Sequence, residues 1–177
     1  MAPKTSAEIC GMGHSMKRKE DPRSIRGQGN YVDDVKLPGM LYLDIVRSPY
    51  AHAKIKKINS EKALKVPGVL AVITGETLKT YNLHWMPTLS SDTQMVLPTD
   101  TVMYQSQEVA GVIATSRYAA ADGVEAVEVD YEPLPVIVDP FKALAPGAAV
   151  LRTDKEGKKD NLAFHWEAGD RAATDKV

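Results

Sequence analysis

The run EVAGVIATSRYAAADGVEAVEVDYEP, Glu108 to Pro133, constrains the fold more than any other part of this chain. Its first residues, Glu108 to Ala114, are almost wholly apolar, as in a strand buried within a sheet. Ser116 then stands where its hydroxyl oxygen can accept from the free N–H groups of a starting helix. In that helix Ala120, Val124 and Val127 recur at i, i+4 and i+7, which is one helical face. The period next switches to two, with Val127, Val129 and Tyr131 inward and Glu128, Asp130 and Glu132 outward. Pro133 and Pro135 stop the run. Strand, helix and strand in this order predict a right-handed crossover. The fold class expected is α+β, with a mixed sheet, short crossover helices and a long central loop.

The first half repeats the plan in outline. Leu41, Leu43 and Ile45 alternate with Tyr42 and Asp44, a strand pattern that opens after the turn Leu37-Pro38-Gly39. A second strand, AKIKKI, follows Ser48-Pro49-Tyr50. Ser60 is placed to cap a short helix, EKALKV, which Pro67-Gly68 ends. Val69 to Ile73 is a continuous apolar run, the signature of a strand covered on both faces. Identity between the halves is too thin for a repeat.

Three segments lack this order. Residues 1–25 read as an extended basic arm, with Lys17, Arg18, Lys19, Arg23 and Arg26 broken by Glu20 and Asp21. It is either a solvated segment or a contact with an acidic surface. Thr80 to Gln107 is a connection of a length that is usually functional or interfacial. Trp85, Met86 and Leu89 are apolar residues a loop would not leave in water, so they fold onto their own core or meet another chain. The tail opens with a charged linker at Thr153 and then alternates in LAFHWE as a strand would. The division expected is an arm at 1–25, a domain at 26–150, and a linker with the truncated start of a further domain at 151–177.

Composition excludes several classes. A net charge of −1 offers no basic excess for nucleic acid. No apolar run approaches the roughly 20 residues of a membrane-spanning helix. The N-terminus lacks the apolar core of a secretory signal, and the single cysteine, Cys10, permits no intrachain disulfide. A cytoplasmic protein is expected.

Site motifs fail one at a time. GQGNYV has valine at position 32 where a dinucleotide loop needs its third glycine. His14, His52, His84 and His165 lie far apart, without the convergence a zinc site requires. His52, between two strands, reads as structural. Asp33 and Asp34 would point apart on an extended chain, and the Glu128, Asp130, Glu132 row reads as a hydrated sheet face. Cys10 has no partner pattern for a nucleophile, and there is no G-x-S-x-G elbow. No catalytic, cofactor-binding or metal residue is assigned to this chain.

The segments GQGNYVDDVKLPGMLY, VRSPYAHAKIKKIN, ALKVPGVLAVIT and VEVDYEPLPVIVDP, in order, resemble the N-terminal α/β-hammerhead domain of molybdenum hydroxylase large subunits. That superfamily includes xanthine dehydrogenases, aldehyde oxidases and aerobic carbon monoxide dehydrogenases. Within it GMGHSMKRKEDPR, YNLHWMPTLSSD and MYQSQEVAGVIA look most like the large subunit of the carbon monoxide-oxidising branch. The resemblance runs from about Gly11 through Asp170. It implies a parent enzyme that converts carbon monoxide and water to carbon dioxide at molybdenum and copper held with molybdopterin cytosine dinucleotide. Electrons would pass through [2Fe-2S] clusters on a small subunit to FAD on a medium subunit and on to a quinone. It implies a large-subunit dimer as well, at the inner face of the cell membrane. Copper-loop and molybdenum-site motifs have no match in these residues. The role expected is therefore structural, with Gln28, Asn30, Tyr31, Trp85, Met86 and Leu89 at subunit or domain interfaces. Relatives acting on aldehydes, xanthine or N-heterocycles, a free-standing split assembly module, and a small-ligand binder with the long loop as lid stay open.

Overall fold

A computed structural model describes residues 18–86, 94–153, 157–163 and 165–176. Cys10, His14, Lys17 and Leu89 fall outside the described residues. The chain divides into two units, Met1–Met40 and Leu41–Val177. In the first, the arm expected to be extended carries a single helical turn, α1 (Asp21–Ser24), with Pro22 in its opening turn, where a missing N–H costs nothing. A 3-10 turn follows at Val32–Asp34.

The second unit holds β1 (Tyr42–Arg47), β2 (Ala53–Asn59), β3 (Val69–Thr74), α2 (Gly75–Thr80), β4 (Thr101–Val102), β5 (Glu108–Ala114), α3 (Arg117–Ala126), β6 (Glu128–Pro133), α4 (Pro140–Ala143) and α5 (Arg171–Thr174). The α+β class stands, but the single mixed sheet does not. Two three-stranded sheets form instead, in orders β1-β5-β3 and β4-β2-β6, and every pairing is antiparallel. The reason lies in β5, whose two edges are already taken by β1 and β3. Only Val127 separates α3 from β6, so the chain passes directly to the second sheet and pairs with β2.

The strongest sequence signals hold. Ser116 caps α3, its Oγ accepting from the Ala119 amide at 3.1 Å. α3 lies against the inner face of the first sheet, and Gly123 makes this close. A Cβ there would stand 2.7 Å from Val112 Cγ1 and 2.8 Å from Val69 Cγ2. Val46, Ala110 and Val112 of that face form the main core with Ala63 and Val127. Val112 is fully buried, worth about 1.5–3 kcal/mol by its removal from water. A second cluster, Ala53, Val102 and Val109, joins the two sheets.

Other expectations are corrected. The EKALKV helix is a three-residue 3-10 turn, Ala63–Lys65. Ser60 contributes its carbonyl, not its hydroxyl, to the Leu64 amide, and no side chain caps the turn; just upstream, Asn59 Oδ1 accepts from the Glu61 amide at 3.1 Å. None of the described residues of LAFHWE is in a strand, and Trp166 is 77% exposed. Three further helices went unforeseen: α2, where Thr74 and Thr77 cap reciprocally, α4, where Asp139 accepts from the Phe141 and Lys142 amides, and α5, where Asp170 accepts from the Ala173 amide. The expected strand run 69–73 is half-buried apart from exposed Leu70, so the second cover it predicts is not supplied there.

Candidate functional site

The residues expected at interfaces occupy different surroundings. Gln28, Asn30 and Tyr31 are exposed on the first unit, Tyr31 at 66%. The Tyr31 amide donates to Asp34 Oδ2 at 3.0 Å. Asp33 and Asp34 thus sit on a 3-10 turn, not on an extended chain, and Asp34 is engaged with the backbone.

In the second unit, the described part of the long connection is more ordered than its sequence suggests. Trp85 pairs with Met95 in an isolated antiparallel bridge. The Met86 amide donates to the Gln94 carbonyl and the Val96 amide to the His84 carbonyl, both at 2.9 Å. Trp85 is half-buried, Met86 is exposed, and the His84 ring lies 5.7 Å from the indole. His84 Nδ1 is buried and has no hydrogen-bond partner among the described residues.

The hexapeptide Ser48-Pro49-Tyr50-Ala51-His52-Ala53 is an internal clasp. Ser48 is buried, its amide donating to the Gln107 carbonyl and its carbonyl accepting from Ser106, both at 2.9 Å. His52 Nδ1 donates to the Pro135 carbonyl at 2.7 Å, which fixes the ring's tautomer. Tyr50 packs on Tyr131 with ring centroids 5.4 Å apart. Burial pushes the Tyr131 phenol above its usual range, and the Ser48 hydroxyl offsets this in part.

Beside the clasp, Arg47 Nη1 meets Glu108 Oε1 at 2.5 Å and the Ser106 carbonyl at 2.9 Å, while the Tyr104 hydroxyl reaches Glu108 Oε2 at 3.3 Å. A hydrogen bond from its own backbone amide, and then Arg47, hold the Glu108 carboxyl below the usual carboxylate range. Its stabilising contribution is complete above the ordinary value of 4.5 and is lost as pH falls through the lowered one. Replacing it, Glu108→Gln, is expected to flatten the fall in melting temperature from about pH 5 to about pH 3. The effect is small because the pair is largely exposed to solvent.

Neither of two clefts in this unit is built for a reaction. One, of about 80 Å³, is lined by Met95, Pro98, Thr101, Tyr104 and Gln107 among others. A small-molecule site starts near about 300 Å³. The other, of about 360 Å³, is an open hollow over Lys57, Asn59, Glu128 and Asp130. That is the hydrated outer face of the second sheet, where Lys54 stands opposite Glu132 and Lys57 opposite Asp130. Among the described residues no three His, Cys, Asp or Glu side chains converge as a metal site, and no helix is long and apolar enough to cross a membrane. Among the described residues, neither these donors nor these two clefts fit a molybdopterin dinucleotide or an iron–sulfur cluster.

The outer face of the first sheet differs. Strand pairing places Leu43 with Ile113 and Ala71, and Ile45 with Gly111 and Ile73. Every position is apolar. Leu43 is 61% exposed, and a Cβ on Gly111 would lie 2.9 Å from Leu43 Cδ1. Sequence reasoning recorded the Leu41, Leu43, Ile45 alternation but did not see that it faces away from the core.

Residues 26–135 match the family described as aldehyde oxidase and xanthine dehydrogenase, a/b hammerhead domain. The chain is 55% identical to the carbon monoxide dehydrogenase large chain of Afipia carboxidovorans, over 97% of this chain and 23% of that one. It is 38% identical to the 6-hydroxypseudooxynicotine dehydrogenase complex subunit gamma of Paenarthrobacter nicotinovorans, over 75% and 18%. Its fold superposes on reconstituted CO dehydrogenase from Oligotropha carboxidovorans with a TM-score of 0.82 at 54% identity, over 98% of this chain and 23% of that one. The chain thus spans under a quarter of the length of these relatives.

Proposed function

We propose that this chain, which belongs to the aldehyde oxidase and xanthine dehydrogenase a/b hammerhead family, is the N-terminal scaffold of an aerobic carbon monoxide dehydrogenase large chain. The observation that carries this reading is identity of 55% to a carbon monoxide dehydrogenase large chain over 97% of this chain, against 38% to the 6-hydroxypseudooxynicotine dehydrogenase complex subunit gamma. The parent enzyme oxidises carbon monoxide with water to carbon dioxide. Molybdenum, copper and the pterin dinucleotide lie in the remainder of the large chain, and [2Fe-2S] clusters and FAD on partner subunits. No step of that reaction falls on the residues described above. Residues 26–150 are the scaffold domain, 1–25 an arm, and 151–177 the passage to the next domain. The complete enzyme works in the cytoplasm, against the inner face of the membrane.

The test is dye reduction by the complete large chain assembled with its partner subunits. Carbon monoxide is expected to drive it, whereas xanthine, aldehydes and nicotine-type heterocycles are not. Turnover of one of those instead would contradict the assignment. The isolated 177-residue chain is expected to carry no molybdenum, copper, iron or flavin, as read by elemental analysis and the visible spectrum. A stoichiometric metal or a flavin band would refute the scaffold role. Trp85→Ala in the complete subunit is expected to weaken assembly of the complex, measured by size-exclusion chromatography. Unchanged assembly and turnover would remove Trp85 from any interface.

A further inference from the structure

We infer that Asn161 is a latch whose carboxamide closes the loop between α4 and residue 161, and that this loop opens as a unit of its own while the two sheets stay folded. Asn161 Oδ1 accepts from the Leu151 amide at 2.7 Å, and Nδ2 donates to the Ala143 and Ala149 carbonyls, each at 2.9 Å. One side chain thus joins positions 10, 12 and 18 residues away. Among the described residues from 144 to 163, hydrogen bonds between backbone groups join residues no more than three apart. They shape the turns of the loop without closing it.

The sequence prepares the site. Ala145-Pro146-Gly147-Ala148 is a tight turn, in which the Ala148 amide donates to the Ala145 carbonyl at 3.1 Å. Pro146 suits its first corner, and Gly147, at φ 81°, suits its second. Ala143 and Ala149, on either side of this reversal, give their carbonyls to the same nitrogen. Ala143 ends α4, so its carbonyl has no intrahelical partner. A carboxamide suits this place because it carries two donors and an acceptor on one short stem. The reversed amide would set Oδ1 against two carbonyls, so the partners fix its orientation. Aspartate has the same shape but would set an oxygen against both carbonyls. Separate opening follows from burial: none of the described residues from 134 onward belongs to the three apolar clusters that hold the sheets together. On the function proposed above, the chain beyond Asn161 leads to the next domain, and the latch fixes where it departs. The latch itself does not depend on that reading.

Hydrogen exchange read by mass spectrometry tests it, on the complete large chain assembled with its partner subunits. Asn161→Asp is expected to speed exchange of the Leu151 amide about 10-fold or more and to leave peptides from β5 unchanged. Asn161→Ala, which removes volume as well as the bonds, is expected to exchange no faster than Asn161→Asp. A residue that only fills space predicts the reverse order, because aspartate keeps the shape. Unchanged Leu151 exchange in Asn161→Asp overturns the inference. So does fast exchange with alanine beside slow exchange with aspartate, or acceleration of β5 together with the loop. Where neither variant assembles, the unaltered enzyme decides. A Leu151 amide that is protected yet exchanges faster than β5 supports the latch. An unprotected Leu151, or one that exchanges in step with β5, refutes it.

Discussion

Gly75→Ala is expected to lower the melting temperature of this chain by about 2–8 °C. A Cβ at the start of α2 would stand 2.5 Å from the Pro98 carbonyl oxygen and 2.7 Å from that of Leu97. These are backbone atoms, which cannot rotate aside as a side-chain tip can. Overpacking of this kind costs about 1–3 kcal/mol, and a chain of this size loses about 2–4 °C for each. Alanine's better helix propensity returns at most about 1 kcal/mol. Gly123→Ala is the milder companion, because its clashes are with the Val112 and Val69 methyl groups. Thermal unfolding followed by circular dichroism checks both. A Gly75→Ala melting temperature equal to that of the parent would mean that residues 97–98 do not close on α2 as described.

Leu43→Asp is expected to separate the free segment from the complete enzyme. On the segment alone Leu43 is mostly in water, so aspartate there changes stability by at most about 0.5 kcal/mol, as exposed substitutions do. If the complete large chain covers position 43, the same aspartate is buried against apolar side chains there. An uncompensated buried charge costs about 3–5 kcal/mol. The expected outcome is a segment that melts normally and a complete chain that loses soluble yield and cofactor content. Equal tolerance in both contexts would contradict a covered face.

These two effects show what the sequence could and could not supply. The run from Glu108 to Pro133 was legible because burial, capping and period all agreed there. Ser116 does cap α3, and Val127, Val129 and Glu128 take the faces their spacing implies. Sheet partnership was not legible, since nothing in a strand's own residues states which edge is free. β5 uses both edges within one sheet, and this sent β6 to the other. Capping by Thr74 and by Asp139 was written plainly, in T-x-x-T and D-P, but over runs too short to show a period. The LAFHWE alternation misled because alternation without a pairing edge does not make a strand.

The interface residues divide along the same line. Trp85 and Met86 were picked for apolar character in a loop, and Trp85 turns out to be half-buried in a bridge to Met95. On β1 the exposed apolar residue is Leu43, where an alternating pattern reads as ordinary core until the fold reveals which side α3 covers. The sequence marked β3 as covered on both faces, β5 as buried and β1 as alternating, and Leu43 is where that alternation meets water.

In the proposed scaffold role this chain holds the parent enzyme's shape without touching its chemistry. The most direct measurement is a segment exchange. This chain replaces the matching 23% of the Afipia carboxidovorans carbon monoxide dehydrogenase large chain, and turnover with carbon monoxide is measured per molybdenum bound. The account predicts kcat and KM within about threefold of the unexchanged enzyme, since no group acting in the transition state has been replaced. A complex that assembles and loads its metals, yet loses about 100-fold or more in kcat, would contradict it.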